Sequence, residues 1–242
     1  SMEEANNEAL RGSQLLCPIM NESGYNVTYY SNQFVKAEYS NSWDRAGNTI
    51  VDDPTIEKAS FDHRNSTKFK YDGELIDNFL VEMPLFEKAG TPNFTIIHFN
   101  DHHVNYSDRF PSNEAILKAD DINRTELSSS ERQVIADYDN ATIYNDKQLE
   151  RVLKYYSDKD AIILFLSDHG EEANDFRVHI GRNHSFEGLP PAALHCQFDV
   201  PFIIFVTEKY REKHPGTIVE IEQSLDKPFM SDWLPYLILR LG

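Results

Sequence analysis

Two short clusters hold most of the residues whose types suit chemistry. Ser167-Asp168-His169-Gly170-Glu171-Glu172 follows directly on the apolar run Ala161–Leu166. An Asp and a His side by side present oxygen and nitrogen donors, with a Gly behind them to let the chain turn away, and such a pair suits Zn²⁺. The same residues would also serve as a polar strand exit, with Asp and His in ordinary hydrogen bonds. The second cluster is His98-Phe99-Asn100-Asp101-His102-His103, at the end of the run that starts at Phe94. Three histidines and an Asp so close together suit metal or phosphate. The plainer alternative packs His98 into the strand and leaves His102 in solvent. A third group, His179 and His184, shares a loop with Gly181 and Arg182.

The elements that must position these clusters can be read from periodicity. Leu15, Leu16, Ile19 and Met20 recur at helical spacing, and Gly24 ends that helix. Tyr25–Ser31 alternates as a strand. Residues Asn32 to Thr67 read as long loops with a short helix. Leu75, Ile76, Phe79, Leu80 and Met83 share one face of a helix that Pro84 is expected to end or kink. Phe94–Phe99, Ala161–Leu166 and Pro201–Val206 read as buried strands. Ser130 is expected to cap a long helix from Glu131 to Tyr156, and a last helix covers Ser231–Leu241. Apolar strands alternating with amphipathic helices predict an α/β fold, with a mostly parallel central sheet between helical layers. In such sheets, sites gather beyond the carboxyl ends of the strands, where all three clusters fall.

Composition narrows the partners. The 242-residue chain is 40% hydrophobic and carries a net charge of −17, which disfavours nucleic acid and anionic lipid. No apolar run is long enough to span a membrane. Ser1-Met2 reads as a tag remnant and residues 1–14 as a disordered or tag-derived lead-in. Cys17 and Cys196 are open to one disulfide or to two free thiols. Eight N-x-S/T sequons, among them Asn26, Asn65 and Asn140, read as chance in an Asn-rich chain.

Taken in order, these blocks resemble the phosphoethanolamine-transferase branch of the alkaline-phosphatase and sulfatase superfamily. His98 to Pro111 is similar to that family's H-x-x-G-x-H-x-x-Y-x-x-R-Y-P stretch, and Tyr138-Asp139-Asn140 to its Y-D-N segment. Ser167-Asp168-His169-Gly170-Glu171 matches S-D-H-G-E. Gly181–His184 and Val200-Pro201-Phe202 resemble the downstream His loop and strand, and Gly24–Gln33 resembles the upstream block that ends in S-N-Q. The resemblance covers Leu15 to Leu241. It implies a three-layer α/β/α fold and a zinc-dependent transfer through a covalent phospho-Thr. Phosphoethanolamine would pass from a phospholipid to lipid A or another cell-envelope glycan acceptor. It further implies a bacterial inner-membrane protein with this domain in the periplasm. Asp168 and His169 are implied as zinc ligands, and His103 and His184 as contacts to the transferred phosphoryl group or a further zinc. His98 and Glu171 are implied as supports behind them. Tyr138, Asp139 and Asn140 are expected to anchor their helix.

Three departures qualify the resemblance. Asp101 replaces the usual Gly. Residues 1–14 contain no Thr, and Thr28 and Thr67 lie in the wrong context for the nucleophile. The expectation is therefore that 15–242 is a partial catalytic domain lacking its first strand, its nucleophile segment and its membrane helices. Such a chain is expected to be inactive and to bind zinc weakly or not at all. Alternatives are a phosphoglycerol transferase, a sulfatase-type hydrolase, or a non-catalytic binding module. Cys17-Pro18-Ile19-Met20-Asn21 lacks the Arg that a sulfatase's C/S-x-P/A-x-R requires.

Overall fold

The computed structural model describes residues 15–33, 54–183 and 187–242. The lead-in and most of the Asn32–Thr67 segment lie outside them. The chain divides into two units, residues 1–100 and 101–242.

In the first unit, helix α1 (Leu16–Glu22) leads into strand β1 (Asn26–Ser31). Gly24 makes the turn between them with φ +90, a conformation that an added Cβ would strain. Helix α2 (Pro54–Ser60), the expected short helix, precedes strand β2 (His63–Arg64). Helix α3 (Asp72–Phe86) then precedes strand β3 (Asn93–His98). The sheet order is β2-β1-β3, with both pairings parallel and Ser31 opposite His98. Leu75, Ile76, Phe79 and Met83 of α3 are buried as their spacing predicts, and Phe79 meets the buried Tyr30 ring edge-on at 5.3 Å. Pro84 does not end the helix. It sits in the final turn, where the missing N–H forfeits a single bond, and Glu87 N still donates to Met83 O at 3.0 Å.

In the second unit, short 3₁₀ turns lead into helix α4 (Ser129–Tyr156). Its cap is Ser128, not Ser130: Ser128 Oγ accepts from Glu131 N, and Glu131 Oε2 accepts from Ser128 N at 2.6 Å. The reciprocal Ser-x-x-Glu pairing decides between neighbouring serines. Strand β4 (Ile162–Leu166) follows, then the hairpin β5 (Glu172–Ala173) and β6 (Ile180–Gly181). Helix α5 (Pro191–Phe198) leads to strand β7 (Phe202–Val206). Two short helices, α6 (Glu208–Lys213) and α7 (Pro215–Glu222), come next. The chain ends in a 3₁₀ turn at Ser231–Trp233 and helix α8 (Leu234–Leu241). Strand β4 pairs with β7 antiparallel, so the parallel pairings lie in the first unit. Among the described residues no helix is long and apolar enough to cross a membrane.

Candidate active site

The end of β3 is built from polar residues that satisfy one another. His98 Nδ1 lies 3.2 Å from Ser31 Oγ and 3.4 Å from Tyr29 OH, both on β1. Asn32, one residue on, is buried and bridges the loops. Its amide donates to Asp72 Oδ1 at 2.9 Å, and its Oδ1 accepts from Phe69 N at 2.8 Å. Asp72, at the start of α3, also accepts from Asn100 N at 3.1 Å, which ties down the exit of β3. Asn65 closes the set, with Oδ1 accepting from Ser31 N and Nδ2 donating to Ser31 O, both at 2.9 Å. The S-N-Q block thus acts as a hydrogen-bond hub, a role that Asn32, Asn65 and Asp72 did not reveal one by one. Asn26, Asn65 and Asn140 are all buried, so three of the sequons are closed to modification in the folded chain.

In the second unit, the loop after β3 and the loop after β4 meet. Tyr106, buried, donates its hydroxyl to Glu171 Oε2 at 2.8 Å. Its ring lies edge-on to Tyr138 of α4 at 5.1 Å, and Tyr138 in turn packs on His102 at 4.7 Å. Burial, then the charges of Glu171, Asp101, Asp175 and Asp139, push the Tyr138 hydroxyl up to about 12. Burial, with the Glu171 carboxylate as acceptor, likewise pushes Tyr106 far above the usual tyrosine range. Asn140 clamps the preceding loop to α4. Its Oδ1 accepts from Ile116 N and Leu117 N, and its Nδ2 donates to Leu117 O at 2.8 Å.

The Asp-His pair sits on a constrained turn. Ser167 Oγ donates to His169 O at 2.7 Å, and Gly170 N donates to Gln197 O at 2.9 Å. A Cβ on Gly170 would stand 2.0 Å from Cys196 O, so only Gly lets the turn lie this close to α5. The Asp168 side chain is 82% exposed and that of His169 29%, with Nε2 3.5 Å from Asp168 Oδ2. His169 Nδ1 faces Gly170 O at 3.1 Å, which favours a proton on Nδ1 and leaves Nε2 available as a donor to a metal. His103 is exposed, its Nδ1 2.9 Å from Val104 O, and Arg109 Nε donates to its carbonyl at 2.6 Å. His184 lies outside the described residues. His102 departs from the solvent-exposed alternative: Asp101 holds one ring nitrogen and Thr142 the other.

Asp168 and His169 can contribute an oxygen and a nitrogen to a zinc ion. Zinc takes three or four protein ligands, and the described residues hold no group of three suitable donors. Asp168 and His169 by themselves fall short of that number. The β5–β6 hairpin carries features that single-residue reading missed. Glu172, fully buried, receives Arg177 Nε at 3.0 Å, and Arg177 donates on to Asn183 Oδ1 at 2.7 Å. His179 Nε2 is buried with no hydrogen-bond partner among the described residues. Cys17 and Cys196 are both free thiols, and burial pushes that of Cys17 up to about 11.

The chain is 28% identical over 210 residues to the Kdo(2)-lipid A phosphoethanolamine 7''-transferase of Escherichia coli, covering 86% of this chain and 34% of that protein. It is 29% identical to phosphoethanolamine transferase EptA of Helicobacter pylori, over 57% of this chain and 26% of that one. The chain thus spans about a third or less of the length of these curated relatives. The zinc complex of the periplasmic domain of E. coli EptC superposes with a TM-score of 0.61 at 21% identity, over 84% of this chain and 55% of that one. The soluble domain of lipooligosaccharide phosphoethanolamine transferase A from Neisseria meningitidis gives 0.61 at 17% identity, over 93% and 64%. These likenesses establish the alkaline-phosphatase and sulfatase type of α/β fold. With the Sulfatase family profile matched over residues 1–236, the chain belongs to the sulfatase family, and its relatives include phosphoethanolamine transferases.

Proposed function

We propose that this chain is part of the catalytic domain of a phosphoethanolamine transferase. The enzyme would move the group from a phospholipid to lipid A or another cell-envelope glycan at the periplasmic face of a bacterial inner membrane. The observation that carries the reading is the Tyr106–Glu171 hydrogen bond of 2.8 Å. It joins the block running from His98 to Pro111 to Ser167–Glu171 across 65 residues of sequence. The likeness to phosphoethanolamine transferases supports the choice of group, and the likeness to a Kdo(2)-lipid A transferase supports the choice of acceptor.

In this reading Asp168 and His169 are the residues that hold zinc, whose chemistry is to neutralise phosphoryl charge and acidify a hydroxyl. His103 and His184 bind the phosphoryl oxygens as nitrogen donors. His98 and Glu171 act through others: His98 by fixing the end of β3 against β1, Glu171 by holding Tyr106. A covalent phospho-Thr intermediate belongs to this reading, and neither Thr28 nor Thr67 stands in the family's context for it.

The test compares zinc stoichiometry and phosphoethanolamine release from a lipid analogue, for this chain and for one extended upstream through the family's first strand. Tight zinc and turnover only in the extended form, both lost in Asp168→Ala and His169→Ala, is the expected result. If the extended form does neither, the enzyme reading fails and a binding module takes its place.

A further inference from the structure

Asp101 and His102 fall where the family stretch has Gly and an unspecified residue, so the transfer chemistry leaves them unassigned. Asp101 Oδ2 lies 2.5 Å from His102 Nδ1, and His102 Nε2 lies 2.6 Å from Thr142 Oγ1. The Asp101 and His102 side chains are 15% and 30% exposed, and Thr142 is exposed on α4. A carboxylate at Nδ1 selects the tautomer protonated there, which leaves the Nε2 lone pair aimed at the threonine hydroxyl. The Tyr138 ring, 4.7 Å away, holds the imidazole in that orientation. Thr142 has one competing acceptor, Tyr138 O one turn back at 3.0 Å, which is the weaker bond usual for Thr in a helix.

We propose that Asp101, His102 and Thr142 form a nucleophilic triad, with Thr142 as the attacking hydroxyl and neutral carboxylic esters as its substrate class. Charge selects the class. Asp101 is bonded to His102, the charge of Asp139 also acts on that imidazole, and Asp139 stands three residues before Thr142 on α4. An anionic phosphate ester would therefore be repelled where an uncharged carbonyl is not. In the first half-reaction Thr142 Oγ1 bonds to the ester carbonyl carbon while its proton passes to His102 Nε2. The imidazolium, steadied by Asp101, then sits beside the developing oxyanion. The carbon–oxygen bond to the alcohol breaks, and that oxygen takes the Nε2 proton. Water next gives a proton to Nε2 and attacks the acyl-threonine, releasing the acid and restoring the hydroxyl.

The experiment treats the chain as it stands with p-nitrophenyl acetate, follows p-nitrophenolate, and maps acid-quenched adducts by tandem mass spectrometry. Expected is an acetyl group on Thr142. Thr142→Val should lose the adduct and Thr142→Ser should keep it. His102→Gln should slow release roughly 100- to 10,000-fold, as for loss of a general base. Circular dichroism checks that each variant is folded. Equal rates in wild type and Thr142→Val, or an adduct only on other residues, overturn the proposal. The lipid-analogue assay of the transferase reading is a separate measurement, so either can fail alone.

Discussion

Strands β1 and β4 invert what their composition suggests. Three of the six residues of β1 (Asn-Val-Thr-Tyr-Tyr-Ser) are polar, yet all but Tyr29 are buried. Strand β4 (Ile-Ile-Leu-Phe-Leu) is wholly apolar, and every one of its residues is only half-buried. The difference lies in neighbours. Strand β1 is the middle of its sheet and packs against α3, whereas among the described residues β4 pairs only with β7. Asn26, Thr28 and Ser31 can be buried because each finds a partner. Asn26 donates to Phe86 O at 3.0 Å, Thr28 Oγ1 to Thr95 Oγ1 at 2.9 Å, and Ser31 N to Asn65 Oδ1. Burial follows position and satisfied hydrogen bonds more closely than hydropathy.

Breaking the better-buried side should have the largest effect. Tyr30→Ala removes a fully buried ring and should cost about 3–5 kcal/mol, read from urea unfolding. A cost under about 1 kcal/mol would mean that β1 is not the core strand it is taken for. Gly170→Ala comes next, because the new Cβ meets the backbone of α5 and not a flexible side chain. Overpacking of this kind costs about 1–3 kcal/mol. The variant should also move the backbone amide signals of Asp168 and His169 in a heteronuclear NMR spectrum, and unchanged signals would contradict the close approach.

A third test reaches the link between the two motif loops. Tyr106→Phe removes one hydrogen bond to a half-buried carboxylate and should cost about 1 kcal/mol. The smallest stability change is expected at the exposed counterpart. Ile203 of β7 is 41% exposed, so Ile203→Val should cost no more than about 0.5 kcal/mol. A larger loss would show that the β4–β7 face is covered in solution. The pH dependence sharpens the same contrast. Tyr138's folded pKa is raised above its unfolded value of 10.0, to about 12, so its neutral form is favoured by folding. The stability it contributes is complete below pH 10 and is lost as pH rises toward 12. Tyr138→Phe should flatten the stability curve across that window, and an unchanged slope would remove Tyr138 from the network.

Much of this was legible in the chain itself. The spacing of Leu75, Ile76, Phe79 and Met83 determined α3 and its buried face, because a helix repeats every 3.6 residues whatever surrounds it. The order of His98–Pro111, Tyr138–Asn140 and Ser167–Glu171 determined the family resemblance, since each block is local and complete in sequence. Gly170 could be read as a turn, but its second reason, the carbonyl of Cys196, is 26 residues away. Only the tertiary structure decided that β4 and β7 run antiparallel and that Tyr106 reaches Glu171. It alone placed Thr142 against His102 and gathered Asn32, Asn65 and Asp72 into one hub. Hydrogen-bond partners distant in sequence leave no periodic trace, so residues of unremarkable type acquire their roles only when the chain folds.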